Sequence, residues 1–253
     1  AVLRELNKPL TINKLDCNNL TYGQVLVSVK SSGICGRQIQ EINGSKGPDK
    51  FLPHLLGHEG SGIVKDIGPG VTTVEKNDHV VLHWRKSSGV QSPTPSYFWN
   101  KKKVNAGWVT TFNEYAVVSE NRLTSISKNF DLKIAALFGC AITSGFGAVN
   151  NDEKVKIGQS VLFYGLGGMG LSIDDACSMV SANPIVGIDI HQSKLELSKK
   201  FGVTNTIINK DNNYVKKKIT DIFGEKGPEV VFETTGNSKL MEHAYEITPS
   251  DGK

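Results

Sequence analysis

The stretch SVLFYGLGGMGLS sets glycines at a spacing that suits a phosphate. An apolar run, Val161 to Tyr164, leads into Gly165, Gly167, Gly168 and Gly170 and then into a segment of helical character. A strand ending here must turn sharply, its backbone must approach a pyrophosphate without a Cβ in the way, and the following helix must pack close and aim its positive end at the anion. Gly165, Gly167 and Gly170 meet these needs in turn. Glycine turns also follow strands for steric reasons alone, so the next strand matters. PIVGID ends in Asp189, about 20 residues past Gly170, where a carboxylate accepts hydrogen bonds from the adenosine ribose and repels a 2′-phosphate. NAD is therefore expected rather than NADP. Lys194 either adds a ribose contact or lies at the surface. Thr234, Thr235 and Gly236 follow a later strand, at the carboxyl edge of the sheet where ligands of such folds sit.

The elements that must carry these residues differ along the chain. Up to about residue 125, short β-rich runs (Val25 to Val29, Gly62 to Ile67, His79 to Leu82, Tyr115 to Val118) alternate with turn clusters. From about Leu132 the spacing is helical. After Asn151, apolar runs at Val161 to Tyr164, Pro184 to Asp189, Asn205 to Ile208 and Glu229 to Phe232 alternate with segments of helix length, the pattern of parallel strands covered on both faces. The reading is a β-rich domain over 1–125, a connecting helical segment over 126–150 and a dinucleotide-binding α/β domain over 151–253. Trp84 to Asn113 shows no period and reads as a long loop or lobe whose aromatics pack locally rather than line a pocket. The lysines at 101–103 and 216–218 read as solvated faces.

Composition excludes several classes. Hydrophobic residues at 38% and 26 glycines fit a packed protein and not a disordered or fibrous one. Lys+Arg 29 against Asp+Glu 25 leaves +4, too even for polyanion binding to be the chain's purpose. No apolar run approaches the roughly 18 residues of a membrane span, and a soluble, cytoplasmic protein that binds neither nucleic acid nor membrane is expected. The four cysteines, at 17, 35, 140 and 177, are too dispersed to staple the chain and read as thiols.

The segment GHEGSGIVKDIGPGV carries Gly57, His58, Glu59, Gly62, Gly68 and Val71. With SGICG around Cys35 and GCAITSGFGAV around Cys140, it resembles the medium-chain, zinc-dependent alcohol dehydrogenases along the whole chain. That resemblance implies a GroES-like β-rich catalytic domain followed by a Rossmann-type doubly wound parallel sheet. It also implies a catalytic zinc on Cys35, His58 and Cys140, with Glu59 close to the metal and Ser144 against the nicotinamide. Two cysteines and a histidine with one open position are a recognised catalytic zinc set, and zinc would act as Lewis acid while hydride passes between an alcohol and NAD. Cys17 and Cys177 match no motif and read as structural thiols, Cys177 inside the helix after the glycine loop.

The chain also departs from the family. No cysteine lies between 35 and 140, so the four-cysteine lobe for a structural zinc is absent and one zinc is expected. Where relatives usually carry a small or hydroxyl residue, then Asp, then His two positions on, this chain has Arg37, Gln38 and Gln40. The usual proton relay is missing. Arg37 suits an anionic substrate, the cofactor phosphates or solvent. Only four strands precede Lys253, so a Rossmann domain incomplete by on the order of 60 residues is expected, with a homo-oligomer at full length. The substrate is a small alcohol or aldehyde, including polyols and sugar derivatives. The alternatives are a zinc-free quinone or enone reductase of the same fold and a non-catalytic NAD-binding protein.

Overall fold

A computed structural model describes residues 1–253. Contacts divide the chain into two units, Ala1–Cys140 and Ala141–Lys253.

In the first unit, β1 (Gln24–Ser32), β2 (Glu59–Ile67), β3 (His79–His83), β4 (Tyr115–Ser119) and β5 (Leu123–Ile126) form an antiparallel sheet in the order β5-β3-β2-β1-β4. Alternation dictates which face is buried: Val25 and Val27 stand opposite Val118 and Ala116 and join Val64, Val80 and Leu82 in one apolar core. The β1–β2 pairing shifts register between Val29 and Ser31. Such an irregularity bends a strand; Cys35 and α1 (Gly36–Ile42) follow shortly after the end of β1.

The periodless segment hides a hairpin. Tyr97–Trp99 pairs with Lys102–Val104, and Asp16–Cys17 adds a third strand. Strands of two or three residues are too short to display a period. Tyr97 is buried with Val2, Leu55, Val104 and Val117, and its hydroxyl accepts the Val117 N–H at 2.8 Å. Trp108 Nε1 donates to the Ser92 carbonyl at 3.0 Å, and the Arg4 guanidinium lies 3.8 Å over the Trp99 ring. Cys17, read as a structural thiol, is exposed on this small sheet, so packing does not hold it, whereas Cys177 is buried.

Glu120 ties loops together. It is fully buried and accepts the N–H groups of Thr72 at 2.6 Å, Thr73 at 2.8 Å and Val90 at 2.6 Å. Burial by itself would raise its pKa, but the donors at Thr72, Val90 and Thr73 outweigh burial and hold the carboxyl below its ordinary value.

In the second unit, β6 (Val161–Tyr164), β7 (Ile185–Asp189), β8 (Asn205–Ile208) and β9 (Val230–Glu233) form a parallel sheet in the order β8-β7-β6-β9. The helices are α2 (Ala141–Gly147), α3 (Gly168–Met179), α4 (Gln192–Ser198), α5 (Asn212–Phe223) and α6 (Ser238–Ile247). Successive side chains of β6 face opposite sides: Val161 and Phe163 pack with Ile173 and Cys177, while Leu162 and Tyr164 pack with Val215 and Ile219. This requirement for apolar residues on both faces gives the unbroken run VLFY. Asp211 and Asn237 cap α5 and α6, accepting the N–H groups of Tyr214 and Lys239. The chain reverses its walk across the sheet between β8 and β9, so the carboxyl ends of β6 and β9 open the crevice in which such folds bind ligands.

Asp174, on α3, is fully buried, and neither carboxyl oxygen makes a close hydrogen bond, the Val203 N–H acting on it too weakly to offset burial. Burial, then the charge of Asp175, pushes its pKa from 3.8 up to about 7. The folded state thus holds the proton more tightly than the unfolded chain, so stability falls as pH rises from about 4 to about 7 and is level beyond. Asp174→Asn should be more stable than the parent in urea at pH 8 by up to about 4 kcal/mol, with the advantage shrinking toward pH 4. An advantage independent of pH would show that ionisation is not its source.

Candidate active site

Three segments of the first unit deliver the metal candidates. Cys35 stands at the N-cap of α1, His58 immediately precedes β2, and Cys140 follows the helical turn Ala136–Gly139. Their ligand atoms all lie within 4.8 Å of one another. His58 Nε2 is 3.3 Å from the Cys140 sulfur. Gly139 permits the approach, since a Cβ there would lie 2.5 Å from the Leu82 carbonyl and 2.6 Å from the Glu59 Cα.

The electrostatics of this cluster favour its uncharged forms. Burial, then the negative charges of Cys35 and Glu59, pushes the Cys140 thiol up to about 12. Burial likewise holds His58 below its ordinary value, leaving the imidazole neutral at pH 7, and raises the Glu59 carboxyl. The thiols are therefore held protonated, and a bound cation would draw off their protons as it coordinates them. A neutral imidazole and two thiolates are what zinc takes, leaving one position open.

The outer partners are as informative as the ligands. Gln38, buried on the first turn of α1, hydrogen-bonds His58 Nδ1 through its amide, and its Oε1 has no other partner. If Nε2 is to ligate, Nδ1 carries the proton and requires an acceptor. The amide, turned so that Oε1 faces the ring, supplies one, since the two amide orientations are interchangeable in shape. The Trp84 side chain hydrogen-bonds the Cys140 sulfur. Gln38 is signalled in the sequence only by standing three residues after Cys35. Trp84 is placed by the end of β3, and nothing in its local sequence announces the contact. Arg37 and Gln40 are exposed.

In the second unit the glycine loop has the geometry that its spacing predicts. Gly165 has φ +91°, a Cβ on Gly170 would come within 1.8 Å of the Gly165 carbonyl, and a Cβ on Gly167 would meet nothing within 4 Å. Gly167 therefore presents open backbone at the N-cap of α3, where no side chain takes up the first N–H groups. Asp189, at the end of β7, is buried and accepts the Leu166 N–H at 2.8 Å and the His191 N–H at 2.9 Å, with Lys194 Nζ at 3.6 Å. Ser144 is buried on α2, which packs so closely on α3 that a Cβ on Gly145 would lie 2.6 Å from the Ser172 Cβ. Thr234 Oγ1 donates to the carbonyls of Tyr164 and Gly165, whereas Thr235 is exposed and gives its N–H and hydroxyl to Glu233. The loop after β9 is thus tied to the loop after β6 through Thr234.

Residues 21–128 match the family described as alcohol dehydrogenase GroES-like domain, and residues 168–253 the family described as zinc-binding dehydrogenase. An S-(hydroxymethyl)glutathione dehydrogenase of Synechocystis is 32% identical over 97% of this chain and 73% of its own length. The zinc-binding domain alcohol dehydrogenase of Burkholderia ambifaria superposes with a TM-score of 0.90 at 26% identity, over 100% of this chain and 74% of that one. Benzyl alcohol dehydrogenase of Acinetobacter calcoaceticus gives 0.87 at 27% identity, over 100% and 74%. The chain thus belongs to the medium-chain, zinc-dependent alcohol dehydrogenase family, oxidoreductases that work with zinc and NAD.

Proposed function

We propose that Cys35, His58 and Cys140 hold the catalytic zinc, and that the chain oxidises small alcohols, or reduces the matching aldehydes, with NAD as hydride partner. The observation that carries this reading is the convergence of the three ligand atoms within 4.8 Å. Zinc supplies Lewis acidity toward the substrate oxygen, and NAD supplies the hydride acceptor. Residues 1–125 form the catalytic part in this reading, 126–150 the connection and 151–253 the dinucleotide-binding part. A cytoplasmic homo-oligomer belongs to the same reading.

The chain's own groups divide the work. Gln38 fixes the His58 tautomer and ring angle. Glu59, buried beside Cys140, sets the field on the metal side. The open backbone at Gly167 and Gly168 and the N-terminus of α3 receive the pyrophosphate, with Gly165 and Gly170 shaping that loop. Asp189 and Lys194 hold the adenosine ribose, Thr235 lies at the carboxyl edge beside the cofactor, and Ser144 bears on the nicotinamide. Neither Gln40 nor Arg37 can take up a proton at neutral pH, so the alcohol proton does not pass through these two positions. A zinc-free reductase of this fold would have no use for the converged thiols.

Purified protein should carry one zinc per chain and lose NAD-linked alcohol oxidation on chelation. Absence of stoichiometric zinc, or activity that survives its removal, would sink the reading. Gln38→Leu should weaken zinc about 10- to 100-fold in chelator competition while leaving the far-ultraviolet spectrum unchanged. Asp189→Ser should raise the dissociation constant for NAD about 10- to 100-fold and narrow its margin over NADP, read by calorimetry. A parent protein that already prefers NADP would overturn that assignment.

A further inference from the structure

The first unit holds a cavity of about 150 Å³ to which none of the metal-cluster residues contributes. Val2, Pro53, Val104 and Trp99 give it an apolar lining. At its edge, Arg4 is held by two neutral groups: the guanidinium donates to Asn13 Oδ1 at 2.9 Å and lies 3.8 Å over the Trp99 ring. Neither partner cancels its charge, and most of its N–H groups stay free for a ligand. Lys102 stands opposite Trp99 on the same face of the hairpin and brings a second cation. Lys103 also borders the cavity, but it stands on the other face of its strand, in one row with Phe98 and Asp16. No carboxylate lines the cavity. Glu5, next to Arg4 in the chain, has no part in it, and Asp49 is engaged with His54 and the Phe51 N–H.

An apolar hollow bordered by two cations and no acid suits a molecule that is apolar at one end and anionic at the other. The volume takes a body about the size of benzene, and the guanidinium fork matches a carboxylate in two parallel hydrogen bonds. We infer that this cavity is a binding site for a small organic monocarboxylate whose body is about one six-membered ring in size. The body covers Val2, Pro53 and Val104, and the carboxylate meets Arg4 with Lys102 beside it. The site is separate from the metal cluster and does not rest on the zinc reading above.

The test uses full-length, zinc-loaded protein labelled with 5-fluorotryptophan, whose three tryptophans are assigned in the fluorine spectrum with Trp→Phe variants. Trp99 reports on the cavity, Trp84 on the metal cluster through its hydrogen bond to Cys140, and Trp108, which donates to the Ser92 carbonyl, is the reference. Benzoate is titrated against benzamide, which keeps the ring without the charge, and acetate, which keeps the charge without the ring. Benzoate should move the Trp99 resonance saturably and bind about tenfold or more tightly than either. Arg4→Gln should bring benzoate close to benzamide, and Arg4→Lys should keep part of the difference. Lys102→Gln, at an exposed position, should also reduce it and keeps the test decisive if Arg4→Gln does not fold. Benzoate that moves only Trp84 is a ligand of the metal cluster, which overturns the inference. Equal affinity for benzoate and acetate leaves only the attraction of a basic surface for anions, and equal affinity for benzoate and benzamide leaves only an apolar hollow; either result overturns it as well.

Discussion

Two half-buried thiols and a half-buried imidazole from three separate segments must be brought to one point, their ligand atoms within 4.8 Å of one another. That constraint organises the first unit. The exit from β1 leads to Cys35, the entry to β2 delivers His58, and the absence of a side chain at Gly139 lets the Cys140 segment settle on β2 and β3. The sheet behind them is an ordinary valine-lined core. Its contribution is rigidity, since a metal site loses affinity when its ligands must be reordered on loading.

The second unit, on the proposed reading, solves a different problem, the reception of a pyrophosphate without side-chain charge. Backbone does most of the work. One glycine turns, one leaves its face open and one lets α3 come close, while Thr234 clamps the neighbouring loop to the first. Strand order puts these loops side by side, so the crevice arises from topology before any side chain is considered.

Much of this was legible in the sequence because it rests on period and on residue type. The run VLFY announces a strand buried on both faces, and the glycine spacing announces the turn after it. The Tyr97–Trp99 hairpin was not legible, because strands of three residues carry no periodic signal and their pairing is long-range. The ligand set was legible through three motifs in one order, yet the reach of Trp84 to Cys140 depends on where β3 ends in space. Gln38 appeared in the sequence only as a departure from a pattern; the structure turns that departure into a contact with His58. The deep burial of the Asp174 carboxyl without a close hydrogen bond is likewise invisible in a sequence, where it stands next to Asp175 on what reads as a helix.

Asp189 is more than a sensor for a ribose. One of its oxygens already holds the Leu166 N–H, within the glycine loop, and the other holds His191. The residue proposed to discriminate between the two nicotinamide cofactors is therefore also a strut of the loop proposed to receive the pyrophosphate common to both. Evolutionary drift between the cofactors cannot pass through this position by one substitution without loosening the shared part first. A lineage that exchanged Asp189 would lose grip on either dinucleotide before gaining preference for the phosphorylated one, and a second change that re-anchors the Leu166 amide would have to come beforehand.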